Sequence, residues 1–278
     1  MKLLVIGAAG QLGSTFADVP AHDVVGVTRA DVDVASHAAV LAVVKATRPD
    51  VIVNCTAYNN VDGAEDDAAT ALAVNAFAVR SMAAAAAQVG ATLVHYSTDF
   101  VFDGEAATPY TEEDRTRPVS VYGCSKLLGE WFAQDAPRWY VVRVASLFGG
   151  RQARSSVDKI VAALRAGSRA PVFADRVVTP SYVVDARDAT LRLLERDTPS
   201  GIFHCVNSGQ GTWADVGELV AETLGADASL LARTSVKDVK LRAQRPVYCA
   251  LSNEKLAAAI GHPLPTWQDA VTRYLQDR

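Results

Sequence analysis

Tyr122 and Lys126 form the residue pair with the clearest chemical potential in this 278-residue chain. They stand four positions apart in the stretch 121–126, Val-Tyr-Gly-Cys-Ser-Lys. If a helix begins after Pro118, the two side chains project from one face. An ammonium beside a phenol favours the phenolate, so we expect Lys126 to lower the pKa of Tyr122 from about 10. The alternative interpretation is a solvated surface pair.

A hydroxyl lies upstream of this pair in Ser97-Thr98-Asp99-Phe100, directly after a predicted strand. A hydroxyl at the carboxyl end of a strand can hydrogen bond to the carbonyl that Tyr122 would protonate. Thr98 is the candidate, with Ser97 in reserve. The predicted catalytic set is therefore Thr98, Tyr122 and Lys126. His95, inside the strand, is interpreted as a core or edge histidine.

Glycines at positions 7, 10 and 13 follow the apolar run Lys2 to Ile6. This spacing indicates a strand, a glycine turn and a helix whose N–H groups face a pyrophosphate. The alternative is a plain turn between strand and helix. The stretch predicts dinucleotide contacts from Gly7, Gly10, Gln11, Leu12 and Gly13.

The residues that follow the predicted strand Asp23 to Val27 indicate which dinucleotide the protein binds. An acidic residue there would accept from a ribose 2′-hydroxyl, whereas Arg29 suits a 2′-phosphate. Arg29 therefore favours NADP(H), with NADH as the alternative cofactor and a solvated arginine as the alternative interpretation. Asp33 is a candidate contact to the adenine.

Alternating strands and helices must position these residues. We predict a helix from Ser36 to Arg48 and further strands at 50–55, 91–96 and 139–144, which indicates an α/β fold with a Rossmann-type doubly wound parallel sheet. Beyond 150 the alternation loosens, and from Thr212 the pattern is mostly helical. We expect a dinucleotide-binding domain at 1–148 and 176–206, with a smaller mixed α/β substrate-binding lobe at 149–175 and 207–278.

The composition and charge of the chain indicate which kinds of partner and which cellular compartment to expect. The formal net charge is −4, without blocks of like charge, so neither a nucleic-acid nor a membrane partner is expected. No apolar run is expected to reach membrane-spanning length. The four cysteines are far apart and read as reduced thiols of a cytoplasmic protein, and no residue cluster has metal-binding spacing. They are Cys55, Cys124, Cys205 and Cys249.

Several motifs together resemble the extended short-chain dehydrogenase/reductase family, and more closely the dTDP-4-dehydrorhamnose reductases. The resemblance spans nearly the whole chain, and the stretch 97–104, Ser-Thr-Asp-Phe-Val-Phe-Asp-Gly, is its most diagnostic part. The other matching stretches are Gly7 to Gly13, Pro49 to Tyr58, Val61-Asp62, Ala64-Glu65, Pro109-Tyr110, Tyr122-Gly123, Ser125-Lys126-Leu127, Gly129-Glu130, Arg245-Pro246, Lys255-Leu256 and Pro265-Thr266-Trp267.

The resemblance implies hydride transfer from NADPH to C4 of a dTDP-linked 4-keto-6-deoxyhexose. Tyr122 would protonate the emerging alkoxide, Lys126 would hold the nicotinamide ribose, and Thr98 would orient the carbonyl. We also expect a monomer or homodimer. Further cofactor contacts are implied at Ala57, Tyr58, Tyr122 and Lys126, and substrate contacts at Val61, Thr98, Phe100, Tyr122 and Leu147.

Three departures from the family pattern lie on the substrate side. Leu147-Phe148 stands where the family has a tryptophan, Val178-Thr179-Pro180-Ser181 replaces Gly-x-Pro-Thr, and Gly63 replaces a lysine. A related deoxysugar or another carbonyl compound thus stays open as substrate. Two other functions also stay open: a catalytically idle NADP-binding subunit of the methionine adenosyltransferase beta type, and an epimerase or dehydratase of the same superfamily.

Overall fold

A computed structural model describes residues 1–277, apart from the Asp18 side chain. Short helices and strands alternate along most of the chain. The strands are β1 (Lys2–Ile6), β2 (Asp23–Val27), β3 (Val51–Asn54), β4 (Thr92–Thr98), β5 (Arg138–Val144), β6 (Leu147–Phe148), β7 (Ala170–Phe173), β8 (Val177–Val178), β9 (Ser181–Tyr182), β10 (Gly201–His204), β11 (Gly211–Thr212) and β12 (Leu231–Thr234).

The α-helices lie between these strands and after them. They are α1 (His37–Thr47), α2 (Val61–Asp66), α3 (Ala68–Leu72), α4 (Ala78–Val89), α5 (Val121–Ala133), α6 (Ser156–Arg165), α7 (Val183–Glu195), α8 (Trp213–Leu224), α9 (Glu254–Ile260) and α10 (Trp267–Gln276).

Six parallel strands form the central sheet in the order β10-β5-β4-β3-β1-β2. The strand order reverses beside β1, which pairs with β2 on one side and β3 on the other. In doubly wound sheets, ligands bind at the carboxyl ends of the strands next to this reversal. The predicted α/β doubly wound fold is confirmed, and the glycine turn follows the strand at the reversal.

Side chains of the central strands alternate between two apolar cores. Leu4 and Ile6 of β1 face the layer of α1 and α4, whereas Leu3 and Val5 face the opposite side. The core that contains Leu3 and Val5 is the larger of the two. It also contains Trp213 and Trp267, which begin α8 and α10. It therefore runs continuously from the sheet into the C-terminal part of the chain.

Hydroxyl caps begin the two helices that matter most for the site. Ser36 Oγ accepts from the backbone N–H of Ala39 at the start of α1, at 3.3 Å. Ser120 Oγ accepts from the N–H of Gly123 at the start of α5, at 3.2 Å. Because such caps satisfy N–H groups that have no partner inside the helix, they fix where each helix begins.

The α3 and α4 helices form one continuous helix through a π-helical turn at Ala73–Phe77. This 22-residue helix, Ala68–Val89, is long and apolar enough to cross a membrane, contrary to the expectation that no apolar run would be. Half of its most apolar window is buried inside the protein. Core helices of globular proteins share these properties, so the helix is weak evidence for a membrane segment.

Two regions differ from the predicted secondary structure. The segment after the glycine turn, Gly13–Asp18, is a 3₁₀ helix rather than an α-helix. The region after Thr212 is less helical than predicted, because β12 pairs in parallel with β7 and extended chain follows it. Long-range pairing of this kind overrides local preference, and the local sequence of 231–234 carries no strong strand signal.

Candidate active site

The glycine turn brings the backbone close to the carboxyl end of β3. Gly7 has a φ of +91°, which is accessible chiefly to glycine, and its N–H donates to the Val27 carbonyl at 2.9 Å. A Cβ on Gly13 would overlap the carbonyl oxygen of Gly7, and one on Gly10 would lie 3.1 Å from the same oxygen. The turn is therefore a tight concave loop of the shape that cradles a pyrophosphate.

Arg29 and Asp33 follow the end of β2, as the sequence predicted. Both side chains are exposed. Asp33 Oδ1 accepts from the N–H of Ala35 at 3.0 Å, which folds the loop around it. Asp31, the carboxylate nearer to Arg29 in the sequence, accepts from both the N–H and the hydroxyl of Thr28, at 2.8 and 2.7 Å. Asp31 is therefore occupied within its loop, and Arg29 is the charged group available to a ligand there.

The loop after β3 is fastened to the π-helical turn. Asn75, which is fully buried, accepts from the Tyr58 N–H at 2.8 Å and donates to the Tyr58 carbonyl at 3.0 Å. Its amide also donates to Ser125 Oγ on α5 at 2.9 Å. Asn75 thus joins the loop that carries Ala57 and Tyr58 to the helix that carries Tyr122. Ala57 itself is exposed.

Thr98 and Tyr122 meet at the carboxyl end of β4. The Thr98 side chain hydrogen bonds to that of Tyr122. Thr98 Oγ1 also donates to Asp99 Oδ1 at 2.9 Å and accepts from the Phe100 N–H at 3.2 Å. The phenol ring of Tyr122 packs edge-on against Phe100, with ring centroids 5.5 Å apart. These contacts fix the hydroxyl of Thr98 beside the phenol.

Lys126 lies one helical turn beyond Tyr122 and is almost completely buried. Its Nζ donates to the Tyr96 carbonyl at 2.6 Å and lies 3.4 Å from His95 Nε2. Burial lowers the pKa of Lys126 to about 8, while the charges of Glu130 and Cys55 act in the opposite direction. The structure thus brings the three predicted catalytic residues together at one edge of the sheet.

The predicted lowering of the Tyr122 pKa by Lys126 is wrong for this structure. Burial raises the pKa of Tyr122 to about 12; the Thr98 hydrogen bond opposes the rise and the Asp99 charge adds to it. Because Lys126 Nζ is bound to the Tyr96 carbonyl, the desolvation of the phenol dominates. Tyr122 is accordingly protonated at neutral pH, as a proton donor must be.

Two arginines flank Phe100 next to Tyr122. The Cζ atoms of Arg176 and Arg245 lie 5.3 and 6.0 Å from the centre of the Phe100 ring. Arg245 pairs with Asp62 at 2.7 Å, and the Nε of Arg176 is buried without a hydrogen-bond partner in residues 1–277. Two guanidiniums close together form an arrangement suited to an anionic ligand group.

A cavity of about 170 Å³ adjoins Arg176. Its walls are mainly apolar and include Ile160, Phe173 and Trp213. Such a lining, together with the cationic side chains of Lys159 and Arg176, suits a small ligand that carries an anionic group. The cavity lies between α6, β7 and α8, in the part of the chain that was expected to contact substrate.

The remaining predicted substrate residues frame this region. Leu147 is half-buried on β6, and its carbonyl accepts from Gln11 Nε2 of the glycine turn at 3.3 Å. Val61, also half-buried, begins α2, where Asp62 Oδ1 accepts from the Ala243 N–H at 2.9 Å. Leu147 is therefore linked to the glycine turn that is predicted to bind the cofactor. Helix α2, which begins at Val61, is linked through Asp62 to the segment just before Arg245.

A buried ionic network supports the site from behind. Glu130 of α5 forms a two-pronged salt bridge with Arg143 of β5, at 2.9 and 2.8 Å, and accepts from Ser97 Oγ at 2.5 Å. Arg143 Nη1 lies 3.3 Å from His204 Nε2. The network joins three strands of the sheet to the helix of Tyr122.

Sequence reasoning missed most of these supporting residues. The strand prediction placed His95 in the core, and its burial is confirmed, but its contact with Lys126 was not foreseen. Glu130 lies in one of the stretches that match the family and Arg143 is a polar residue inside a predicted strand, whereas no prediction concerned Asn75. Among residues 1–277, no group of three or more histidine, cysteine or acidic side chains is placed to hold a metal.

Comparison with known proteins supplies the family. The family model described as "RmlD substrate binding domain" matches residues 1–278. A dTDP-4-dehydrorhamnose reductase of Burkholderia thailandensis is 35% identical over 295 aligned positions, which cover 100% of this chain and 99% of that protein.

Two solved structures show the same fold over the full length. A dTDP-4-dehydrorhamnose reductase of Clostridium acetobutylicum has a TM-score of 0.94 at 32% identity, covering 99% of each chain. The reductase of Bacillus anthracis, solved in complex with NADP, has a TM-score of 0.93 at 26% identity, covering 100% of this chain and 99% of that one. With its glycine turn and its Thr98, Tyr122 and Lys126 cluster, the chain belongs to the RmlD substrate binding domain family.

Proposed function

We propose that this protein is an NADPH-dependent reductase of the C4 ketone in a dTDP-linked 4-keto-6-deoxyhexose. One observation carries the proposal: Thr98, at the carboxyl end of β4, lies beside Tyr122, with Lys126 one turn further along the same helix. The relatives named as reductases of such a sugar, and the relative solved with NADP, support the same reaction.

The residues of the glycine turn fit a dinucleotide, because Gly7, Gly10 and Gly13 leave room that side chains would fill. Gln11 and Leu12 line the same turn, and Ala57 and Tyr58 lie in the loop that follows the adjacent strand. Arg29 would contact the 2′-phosphate and Asp33 the adenine. Lys126 would hold the nicotinamide ribose. When bound, NADPH supplies the hydride.

The chain's own residues would orient the ketone and supply the proton. The Thr98 hydroxyl would turn its single proton from Asp99 Oδ1 to the substrate oxygen, and this hydrogen bond would hold the oxygen beside the phenol of Tyr122. As negative charge grows on that oxygen, Tyr122 transfers its proton to it. The raised pKa of Tyr122 keeps the phenol protonated at neutral pH until charge develops.

Substrate would extend from this point along the arginine pair. Phe100, Val61 and Leu147 would contact the sugar, and Arg176 with Arg245 offers positive charge to the phosphates of a nucleotide sugar. We further propose that segments 149–175 and 207–278 form the substrate-binding lobe on the domain 1–148 and 176–206. We also propose a cytoplasmic monomer or homodimer with neither a nucleic-acid nor a membrane partner.

The test is NADPH oxidation with freshly generated dTDP-4-keto-6-deoxyhexoses in the L-lyxo and D-xylo forms, followed by NMR of the sugar product. Tyr122→Phe is expected to reduce turnover by about 10²- to 10⁴-fold with NADPH binding retained. Cys124→Ser, an exposed position on the same helix, is the matched control and is expected to keep wild-type turnover.

The other functions predict different results. An idle regulatory subunit would bind NADPH tightly without turnover and would bind a partner synthetase in fixed stoichiometry. An epimerase or dehydratase would convert the sugar without net NADPH consumption. Reduction of only a different keto sugar would keep the mechanism but change the substrate, in keeping with Leu147 in place of the family's tryptophan.

A further inference from the structure

The hydrogen bonds of Asn54 fix which way its amide faces. Asn54 Oδ1 accepts from the backbone N–H of Thr56 at 3.0 Å and from the Thr56 hydroxyl at 2.6 Å. A backbone N–H is only a donor, so the oxygen must lie on that side. The amide nitrogen therefore faces His95, with 3.0 Å between Asn54 Nδ2 and His95 Nδ1.

This orientation decides the tautomer of His95. Since Asn54 Nδ2 is a donor, His95 Nδ1 must accept and carries no proton. Burial, with a smaller effect of the Lys126 charge, holds the pKa of His95 well below its usual range, so the ring is neutral. A neutral imidazole has one N–H group, which must then be on Nε2.

The Nε2–H group of His95 is directed at Lys126. The distance between His95 Nε2 and Lys126 Nζ is 3.4 Å, and Gly129 allows this approach because a Cβ there would lie 3.2 Å from Nε2. An ammonium would meet this N–H donor to donor. A neutral amine can accept from it while still donating to the Tyr96 carbonyl.

We propose that His95, held by Asn54 in the Nε2–H tautomer, is a positioning residue that donates a hydrogen bond to Lys126 and favours the neutral amine. The other ionisable groups that act on Lys126 are Glu130 of α5 and Cys55 after β3, and both favour the ammonium. In the proposal, the hydrogen bond from His95 acts in the same direction as burial and against these two groups. Lys126 is held close to the point where it gains or loses a proton.

The tautomer can be measured directly by ¹⁵N NMR of histidine-labelled protein. His95 is assigned by the loss of its signals in His95→Gln. We expect a protonated Nε2, an unprotonated Nδ1 and no titration between about pH 5 and 9. A proton on Nδ1, or titration near the ordinary histidine pKa, would overturn the proposal.

The effect on Lys126 is measured by the ¹³Cε shift of labelled lysine as a function of pH. In His95→Gln the new side chain can present its oxygen to the ammonium, so the Lys126 midpoint is expected to rise by about one pH unit or more. His204→Gln is the matched control, because His204 is equally buried but contacts Arg143 instead. An unchanged midpoint in His95→Gln, or an equal rise in His204→Gln, would overturn the proposal.

The inference deepens the proposed function, since it concerns the lysine that would hold the nicotinamide ribose. Both measurements use the protein without cofactor or substrate. If the reductase assay fails while the tautomer and midpoint behave as expected, the proposed function is wrong and the inference stands. The reverse pattern would leave the reductase and remove the role of His95.

Discussion

At the scale of single residues, the pKa values of Tyr122 and Lys126 shift in opposite directions for the same physical reason. Burial raises the pKa of Tyr122 and lowers that of Lys126, because desolvation favours the neutral form of each. The protein without ligand therefore keeps its phenol protonated, and its lysine gives up its proton about two pH units more readily than an exposed lysine does. A ligand that brings negative charge would favour the charged lysine.

The pH dependence of stability tests the buried lysine. The pKa of Lys126 falls from 10.5 in the unfolded chain to about 8 in the folded protein. Between these values the unfolded chain binds more protons, so this residue makes the protein more stable as pH rises from 8 to 10.5. Below pH 8 its destabilising effect is fully present.

We therefore expect Lys126→Met to be more stable than the wild type at pH 7, by up to about 3 kcal/mol. Chemical denaturation of both proteins at several pH values measures the difference. The advantage should shrink through the window from pH 8 to 10.5. The same difference at every pH would show that Lys126 is not a destabilised ammonium below pH 8.

Arg29→Ala tests the cofactor preference. Loss of a charge-assisted contact to a 2′-phosphate is expected to weaken NADPH binding by about ten- to a hundred-fold. NADH binding should be nearly unchanged, because NADH lacks this phosphate, and serves as the internal control. Fluorescence titration with the two cofactors is the measurement. Equal losses for both would contradict the assignment of Arg29.

The sequence predicted which candidate residues lie close together better than it predicted their surroundings. Thr98, Tyr122 and Lys126 could be found because a strand end and a helical spacing bring them together, and the structure does so. The direction of the Tyr122 pKa shift could not, because it depends on where Lys126 Nζ finds its acceptor. That acceptor is the Tyr96 carbonyl, 30 positions away in the sequence.

At the scale of elements, α5 owes its position to a glycine. A Cβ on Gly129 would overlap the carbonyl oxygen of Asn75, so the helix lies directly against the π-helical turn. The same close packing brings Lys126 to His95. Glycine in a helix interior is normally less favourable than alanine by about 1 kcal/mol. The glycine at position 129 is therefore explained by the close contact with Asn75 and not by helix formation.

Gly129→Ala tests this packing. We expect a loss of about 1–3 kcal/mol in the free energy of unfolding, because the backbone of Asn75 cannot easily move away. Gly217→Ala in α8 is the control: its new Cβ would meet only side-chain methyl groups, those of Leu231 at 3.0 Å and Val172 at 3.3 Å, and no backbone. Urea unfolding compares the variants. Equal effects at the two positions would show that α5 and the turn can separate without cost.

Elements with strong local signals were predicted almost to the residue. β1 and β2 have their predicted bounds, and Ser36 caps α1 as expected. The strand β12 and the π-helical turn were not foreseen. β12 is formed by pairing with β7, about 60 residues earlier, and the turn is stabilised by Asn75 contacts to distant backbone, so neither is encoded locally.

At the scale of the whole molecule, one apolar core crosses the proposed boundary between domain and lobe. It joins Leu3 and Val5 of the central sheet to Trp213 and Trp267 of the C-terminal helices. Ion pairs add to this connection, since Asp62 of α2 binds Arg245. We therefore expect the two parts to unfold together.

Equilibrium urea unfolding tests this expectation. Far-UV circular dichroism reports on the whole chain, and tryptophan fluorescence includes the buried Trp213 and Trp267 of the C-terminal part. The two transitions should coincide within error, as they do in a two-state process. Separate midpoints would mean that the lobe unfolds independently of the sheet.

The π-helical turn at Ala73–Phe77 also affects how related sequences should be aligned. Such a turn accommodates one residue more than a regular α-helix of the same rise. Removing a single residue would restore regular geometry but rotate one half of the helix by about 100° against the other. Asn75 would then no longer face Tyr58 and Ser125. A homologue whose sequence has a one-residue deletion inside this helix therefore lacks the π-helical turn. It must hold the loop after β3 in place by other contacts.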